Sequence, residues 1–122
     1  MTATHDWPGV AGDLVQALKP LRAGAPQAMT AFSALARAAL EPQALSTKTK
    51  ELIALGISVA TRCDGCIAFH AEAAVKQGAS REEIMETMGM AIYMGAGPSV
   101  MYAAQALEAF DQFAAKSAGR TA

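Results

Sequence analysis

Several features that would announce a function are missing from this sequence. No stretch reaches the roughly 18 uninterrupted apolar residues of a membrane span. The opening, MTATHDWPGV, has neither the basic segment nor the apolar segment of a secretory signal. The reading is a cytoplasmic protein with no membrane partner. Charge of one sign is also lacking: the net charge is −1 and the pI about 6.1, so no field gathers nucleic acid or an acidic surface. Aromatic residues are few, one Trp, two Tyr and four Phe. No segment alternates with the period of two that marks a strand, and there is no internal repeat. Only two cysteines occur, too few for a disulfide framework.

What is abundant is small and flexible apolar side chain. Hydrophobic residues make up 52% of the 122, with frequent alanine and seven methionines, a composition suited to closely packed helices. One domain over residues 1–122 is expected, with an N-terminal arm over 1–8 and a flexible tail over 117–122. The apolar surplus of so short a chain points to a subunit interface.

Helix punctuation divides the chain into about six helices, and the fold class is all-α. A first helix (Val10, Leu14, Val15, Leu18) should run to Pro20 and the Gly24-Ala25-Pro26 break. A second spans about Pro26 to Leu40. Ser46 or Thr47 caps a third that reaches about Arg62, with Gly56 admitting another backbone. Asp64 is a suitable N-cap for a fourth ending at Gly78. Ser80-Arg81-Glu82-Glu83 reads as a capping box for a fifth, broken at Gly95-Ala96-Gly97-Pro98. A sixth then runs from about Pro98 to Lys116.

The chemistry is concentrated between Glu51 and His70, ELIALGISVATRCDGCIAFH, in the pattern E-x11-C-x2-C-x3-H. On a helix from Asp64 onward, Cys63, Cys66 and His70 share one stripe, with an imidazole one turn from the second thiol. Cys66 in the first turn gains from the helix dipole, and Arg62 is near in sequence, so a lowered thiol pKa is expected. Three readings stand side by side. The cysteines are a redox pair, or two buried small hydrophobes, or ligands of a zinc site. Zinc is the poorer fit, because C-x2-C-x3-H offers three ligands where four are needed and the spare histidine, His5, lies in the arm. Glu51 alone reads equally as a solvated helix residue or a functional one. Lys48, Lys50, Glu72, Lys76, Glu82, Glu83 and Glu86 read as solvated faces. Met85, Met88, Met90, Met94 and Met101 read as core or interface packing.

Together, Glu51, Cys63, Cys66 and His70, with the later IYMGAGPSVMYAAQALEAFDQF, resemble the carboxymuconolactone decarboxylase family in its AhpD-like alkylhydroperoxidase branch. The resemblance implies an AhpD-like helical fold assembling into homo-trimers or hexamers. It also implies a peroxidase or disulfide reductase activity that needs no bound cofactor or metal. Carried onto this chain, Cys66 is the peroxidatic thiol, His70 and Glu51 relay its proton, and Cys63 resolves the sulfenic acid. The partners implied are a peroxide substrate and a dithiol or lipoyl-type reductant protein. Some peroxidase members carry a second histidine between the cysteines, where this chain has Asp64 and Gly65. Two alternatives remain: a gamma-carboxymuconolactone decarboxylase-like enzyme, against which the C-x-x-C argues, and a non-enzymatic oligomeric redox sensor.

Overall fold

Four of the five helices begin where a short side chain can accept an otherwise orphaned backbone amide. Asp6 caps α1 (Trp7–Gly24), Ser46 caps α3 (Thr47–Ala60) and Cys63 caps α4 (Asp64–Lys76). Ser80 starts α5 (Arg81–Thr121) through a reciprocal capping box, its Oγ accepting from the Glu83 amide at 3.0 Å and Glu83 Oε1 accepting from the Ser80 amide at 2.8 Å. That amide, and then Lys48 at 3.0 Å, hold the Glu83 carboxyl below its ordinary pKa. Only α2 (Pro26–Leu40) lacks a side-chain cap. These elements come from a computed structural model that describes residues 2–121, with side chains described as far as Gly119. No strand occurs among the described residues.

Five helices stand among the described residues where six were expected, because α5 runs two helical arms together across a kink. The kink falls in the expected Gly95-Ala96-Gly97-Pro98 break, where Ala96 has φ 55° and ψ −140°. The chain reverses there. Arg81 and Asp111 are 30 residues apart yet form a two-pronged ion pair, Nε to Oδ1 at 3.0 Å and Nη2 to Oδ2 at 3.1 Å. A straight helix would hold them about 45 Å apart. α5 is therefore two antiparallel arms joined at Ala96. Gly95 permits the turn, since a Cβ there would sit 1.9 Å from Ser99 Oγ.

Other boundaries moved as well. α1 passes Pro20 and ends at Gly24, in the expected Gly24-Ala25-Pro26 break; Pro20 and Gln16 are both exposed, where a carbonyl left without its amide is least costly. α3 ends at Ala60, two residues before the expected Arg62, which takes part in its C-terminal cap. The residue that caps α4 is Cys63, not Asp64, which occupies the first helical position. Trp7 and Pro8, expected in an N-terminal arm, lie in the first turn of α1. α5 stays helical to Thr121, through most of the segment expected as a tail, while Met1 and Ala122 fall outside the described residues.

The core is built by α3, α4 and both arms of α5 from Leu55, Val59, Ile67, Ile84, Phe110 and Phe113, all buried. Alanines at 68, 71, 74, 103, 106 and 109 let the backbones close on one another. Each fully buried large aliphatic contributes about 1.5–3 kcal/mol. Gly56 faces a side chain and not the backbone expected: the nearest atom to where its Cβ would be is the Thr87 methyl of α5, at 3.4 Å. Of the five methionines, only Met88 enters this core; Met85, Met90, Met94 and Met101 are exposed.

The N-terminal residues are tied down by one carboxylate. Trp7 is fully buried, and its indole donates to Glu108 Oε1 at 2.9 Å. The amides of Thr4 and His5 and the Thr4 hydroxyl converge on the same group. Gln112 adds two bonds, accepting from the Trp7 amide and donating to the His5 carbonyl. Burial works against ionisation of Glu108, but the bonds from Thr4, Trp7 and His5 outweigh it and hold the carboxyl below its ordinary pKa.

Candidate active site

A tight α3–α4 corner positions the two sulfurs. The Arg62 amide donates to the Val59 carbonyl at 3.2 Å and the Cys63 amide to the Ser58 carbonyl at 3.1 Å, the paired bonds of a Schellman ending. That motif needs a left-handed residue, and Arg62 supplies it at φ 56°. Arg62 thus contributes its backbone, and its side chain does not line the cavity beside the cysteines. Cys63 ends α3 and begins α4 at once, its Sγ accepting the Cys66 amide at 3.2 Å. One turn into α4, Cys66 closes a disulfide with it across a Cα–Cα distance of 5.2 Å. Both are half-buried, which separates them from inert core cysteines.

The other two motif residues meet behind the sulfurs. His70 Nδ1 lies 2.7 Å from Glu51 Oε1. Glu51, on the core face of α3, is only 5% exposed, which decides against a solvated helix residue. When Glu51 is ionised it accepts from the Nδ1 proton, leaving the Nε2 lone pair of His70 available as a base. His70 is half-buried and shares a cavity of about 500 Å³ with Cys63 and Cys66. Glu51 does not reach that cavity. It holds the far side of the imidazole through Nδ1.

Walls for the cavity come from residues that the motif did not reveal. Leu14, Val15 and Leu18 of α1, Phe32 of α2 and Phe69 of α4 make it largely apolar, with Arg22 at its edge. Their helical periodicity was legible, but not the sulfurs as their target. Gly65, in the spacer between the cysteines, is where α1 comes closest: a Cβ there would stand 2.8 Å from Leu14 Cδ1. A side chain at this position would have to displace the Leu14 methyl. His5 stands apart, 3.7 Å from Asp64, its ring tilted by 34° against that of Trp7. Among the described residues no group of three or more His, Cys, Asp and Glu is arranged to hold a metal ion. No helix among them is long and apolar enough to cross a membrane.

An all-helical chain whose C-x-x-C pair shares a cavity with a glutamate-supported histidine defines a narrow class of protein. The sequence model of the carboxymuconolactone decarboxylase family matches residues 26–109, and the chain belongs to that family. Among solved structures it is similar to a family member from Legionella pneumophila, 52% identical with a TM-score of 0.86 over 88% of this chain and 96% of that one. It is also similar to a family member from Thermotoga maritima for which a part in the antioxidative response has been suggested, 28% identical with a TM-score of 0.78 over 90% and 97% of the two chains. An uncharacterised protein of Cupriavidus necator is 42% identical over 86 residues, 70% of this chain and 76% of that protein.

Proposed function

We propose that this chain is a cysteine-based hydroperoxide reductase and thiol–disulfide oxidoreductase. The observation that carries the proposal is the opening of the Cys63–Cys66 pair and of His70, backed by Glu51 at 2.7 Å, into one apolar cavity. In the reduced protein, His70 Nε2 takes the Cys66 proton, while Glu51 holds the ring and stabilises its positive charge. The thiolate attacks the terminal oxygen of the hydroperoxide and the O–O bond breaks. The departing alkoxide takes the proton from His70 and leaves as the alcohol. Cys66 is now a sulfenic acid, and the Cys63 sulfur displaces its oxygen as water to form the disulfide. Cys63 is suited to that part because the α4 N-terminus stabilises its thiolate. An external dithiol, from a small molecule or a lipoyl-type protein, returns both thiols and is itself oxidised to a disulfide.

The working form in this proposal is a cytoplasmic homo-trimer or hexamer. Support comes from α2, which buries none of its residues and leaves Phe32 and Leu35 63% and 62% exposed. Ile53, Ile57, Met90 and Met94 add a second exposed apolar groove between α3 and α5. Light scattering at micromolar concentration should give a multiple of the 12.6 kDa chain mass.

Continuous peroxide consumption with a supplied dithiol tests the activity. Many turnovers per chain support a reductase. Oxidation that stops after one equivalent would identify a redox sensor, and loss of carbon dioxide from a carboxylactone without any need for the cysteines would identify a decarboxylase.

A further inference from the structure

We propose that the cavity beside Cys66 selects amphiphilic hydroperoxides, an apolar chain ending in a carboxylate, and that Arg22 and Arg37 hold the carboxylate. This rests on the hydroperoxide reductase reading and names the substrate class it leaves open. The apolar wall of Leu14, Leu18 and Phe32 runs up to Arg22. At Arg22 it meets a second recess, of about 290 Å³, bordered by Arg22, Ser33, Thr30 and Arg37. Arg22 belongs to both, its Nη1 directed at Ser33 Oγ from 3.5 Å.

Neither guanidinium has a carboxylate partner among the described residues. Residues 14–40 contain Lys19, Arg22 and Arg37 and no Asp or Glu, and Glu41, four residues after Arg37, forms no ion pair with it. A cationic stretch in a chain of net charge −1, with two planar donor forks and two hydroxyls on one recess, is matched to the two oxygens of a carboxylate. The first turn of α2 borders the recess through Pro26, and no side chain caps it, so the positive end of that helix adds to the attraction. A ligand with its head between the arginines has its chain along the apolar wall, toward the sulfur that reacts.

Steady-state consumption of linoleic acid hydroperoxide, its methyl ester and cumene hydroperoxide, each below its micelle concentration with dithiothreitol as reductant, tests the proposal. The acid should exceed the ester in kcat/KM by about tenfold at low ionic strength, and added salt should shrink the ratio. In the Arg22→Ala/Arg37→Ala double variant the ratio should approach one, and in Arg22→Lys/Arg37→Lys, which keeps the charges without the planar forks, it should lie between one and the unaltered value. Equal rates for acid and ester in the unaltered protein, with cumene hydroperoxide consumed, would overturn the proposal and leave the reductase reading in place. Consumption of none of the three would remove that reading instead. Calorimetric binding of decanoate against decanol to the disulfide form then still decides the recess: tighter decanoate binding that vanishes in the double variant supports it, and equal binding overturns it.

Discussion

On one side of the cavity stand α3 and α4, where Val59 and Ile67 are fully buried and Glu51 is 5% exposed. On the other stand α1 and α2, where Val15 and Phe32 are 46% and 63% exposed and α2 buries nothing. The first side carries every group in the proposed chemistry, held by core packing and a helix-to-helix corner. The second carries shape and charge, attached through Trp7 to Glu108 and Gln112 of α5, at the α1–α4 contact around Gly65 and at the bond from Thr47 Oγ1 to the Leu40 carbonyl. Proton transfer and disulfide closure depend on reacting atoms being held to fractions of an ångström, whereas an apolar cover has to admit substrate and a reductant. The contrast separates substitutions that change rate from those that change selectivity.

The largest effects should fall on the sulfurs. Cys66→Ser should lower peroxide consumption by about a thousandfold or more. Cys63→Ser should give a single oxidation, with a sulfenic acid at Cys66 that dimedone traps. Rapid trapping at Cys63 in Cys66→Ser would assign the roles the other way, favouring the helix N-terminus over the adjacent base as the activating device.

Next come Glu51→Gln and His70→Ala, each expected to slow Cys66 oxidation by about a hundredfold, with the double variant little worse than either alone. Removing His70 leaves a buried carboxylate unpaired, so that variant should also lose about 1–3 kcal/mol of stability in urea titrations. An unchanged rate in Glu51→Gln would limit Glu51 to a structural part.

Away from the cavity, Glu108→Ala should cost about 2 kcal/mol by freeing the bonds that seat Thr4, His5 and Trp7. Acid should do the same. Because the folded chain holds this carboxyl below its ordinary pKa, its contribution is present above about pH 4.3 and is lost as the pH falls through the lower folded value. Trp7 fluorescence should report that loss, and should stay flat across the range if Glu108 does not anchor the indole.

Two helix endings offer a finer test. α4 closes with Gly78 at φ 78°, under the same bond pair that closes α3, from Gly78 to Val75 and from Ala79 to Ala74. Glycine carries that conformation without strain, whereas Arg62 does not. Arg62→Gly should raise thermal stability by about 1 kcal/mol, and Gly78→Ala should lower it by about as much. The smallest effect belongs to the cover: Phe32→Ala should change the stability of a dissociated chain by less than about 0.5 kcal/mol. A loss of several kcal/mol measured on the assembled protein would instead place Phe32 in a subunit interface.

Local chemistry made much of this protein legible in one dimension. Ser46, the Ser80–Glu83 box, Gly78 and the Gly95–Pro98 break act within a few residues of themselves, so their positions announce helix starts and stops without reference to the rest of the chain. The C-x2-C-x3-H spacing works over two turns of one helix and is legible for the same reason. Pro20 was harder to read because its cost depends on whether the freed carbonyl reaches water, which is a property of the surface it lies on. Glu51 was ambiguous for a related reason: the first turns of a helix suit a solvated or a buried glutamate alike, and only the docking of α4 brought His70 to 2.7 Å. Leu14 over Gly65, Glu108 beneath Trp7 and the joining of two recesses at Arg22 link residues far apart in sequence. Such contacts are chosen by the packing of whole helices, where no single residue carries the signal, and tertiary structure alone decided them.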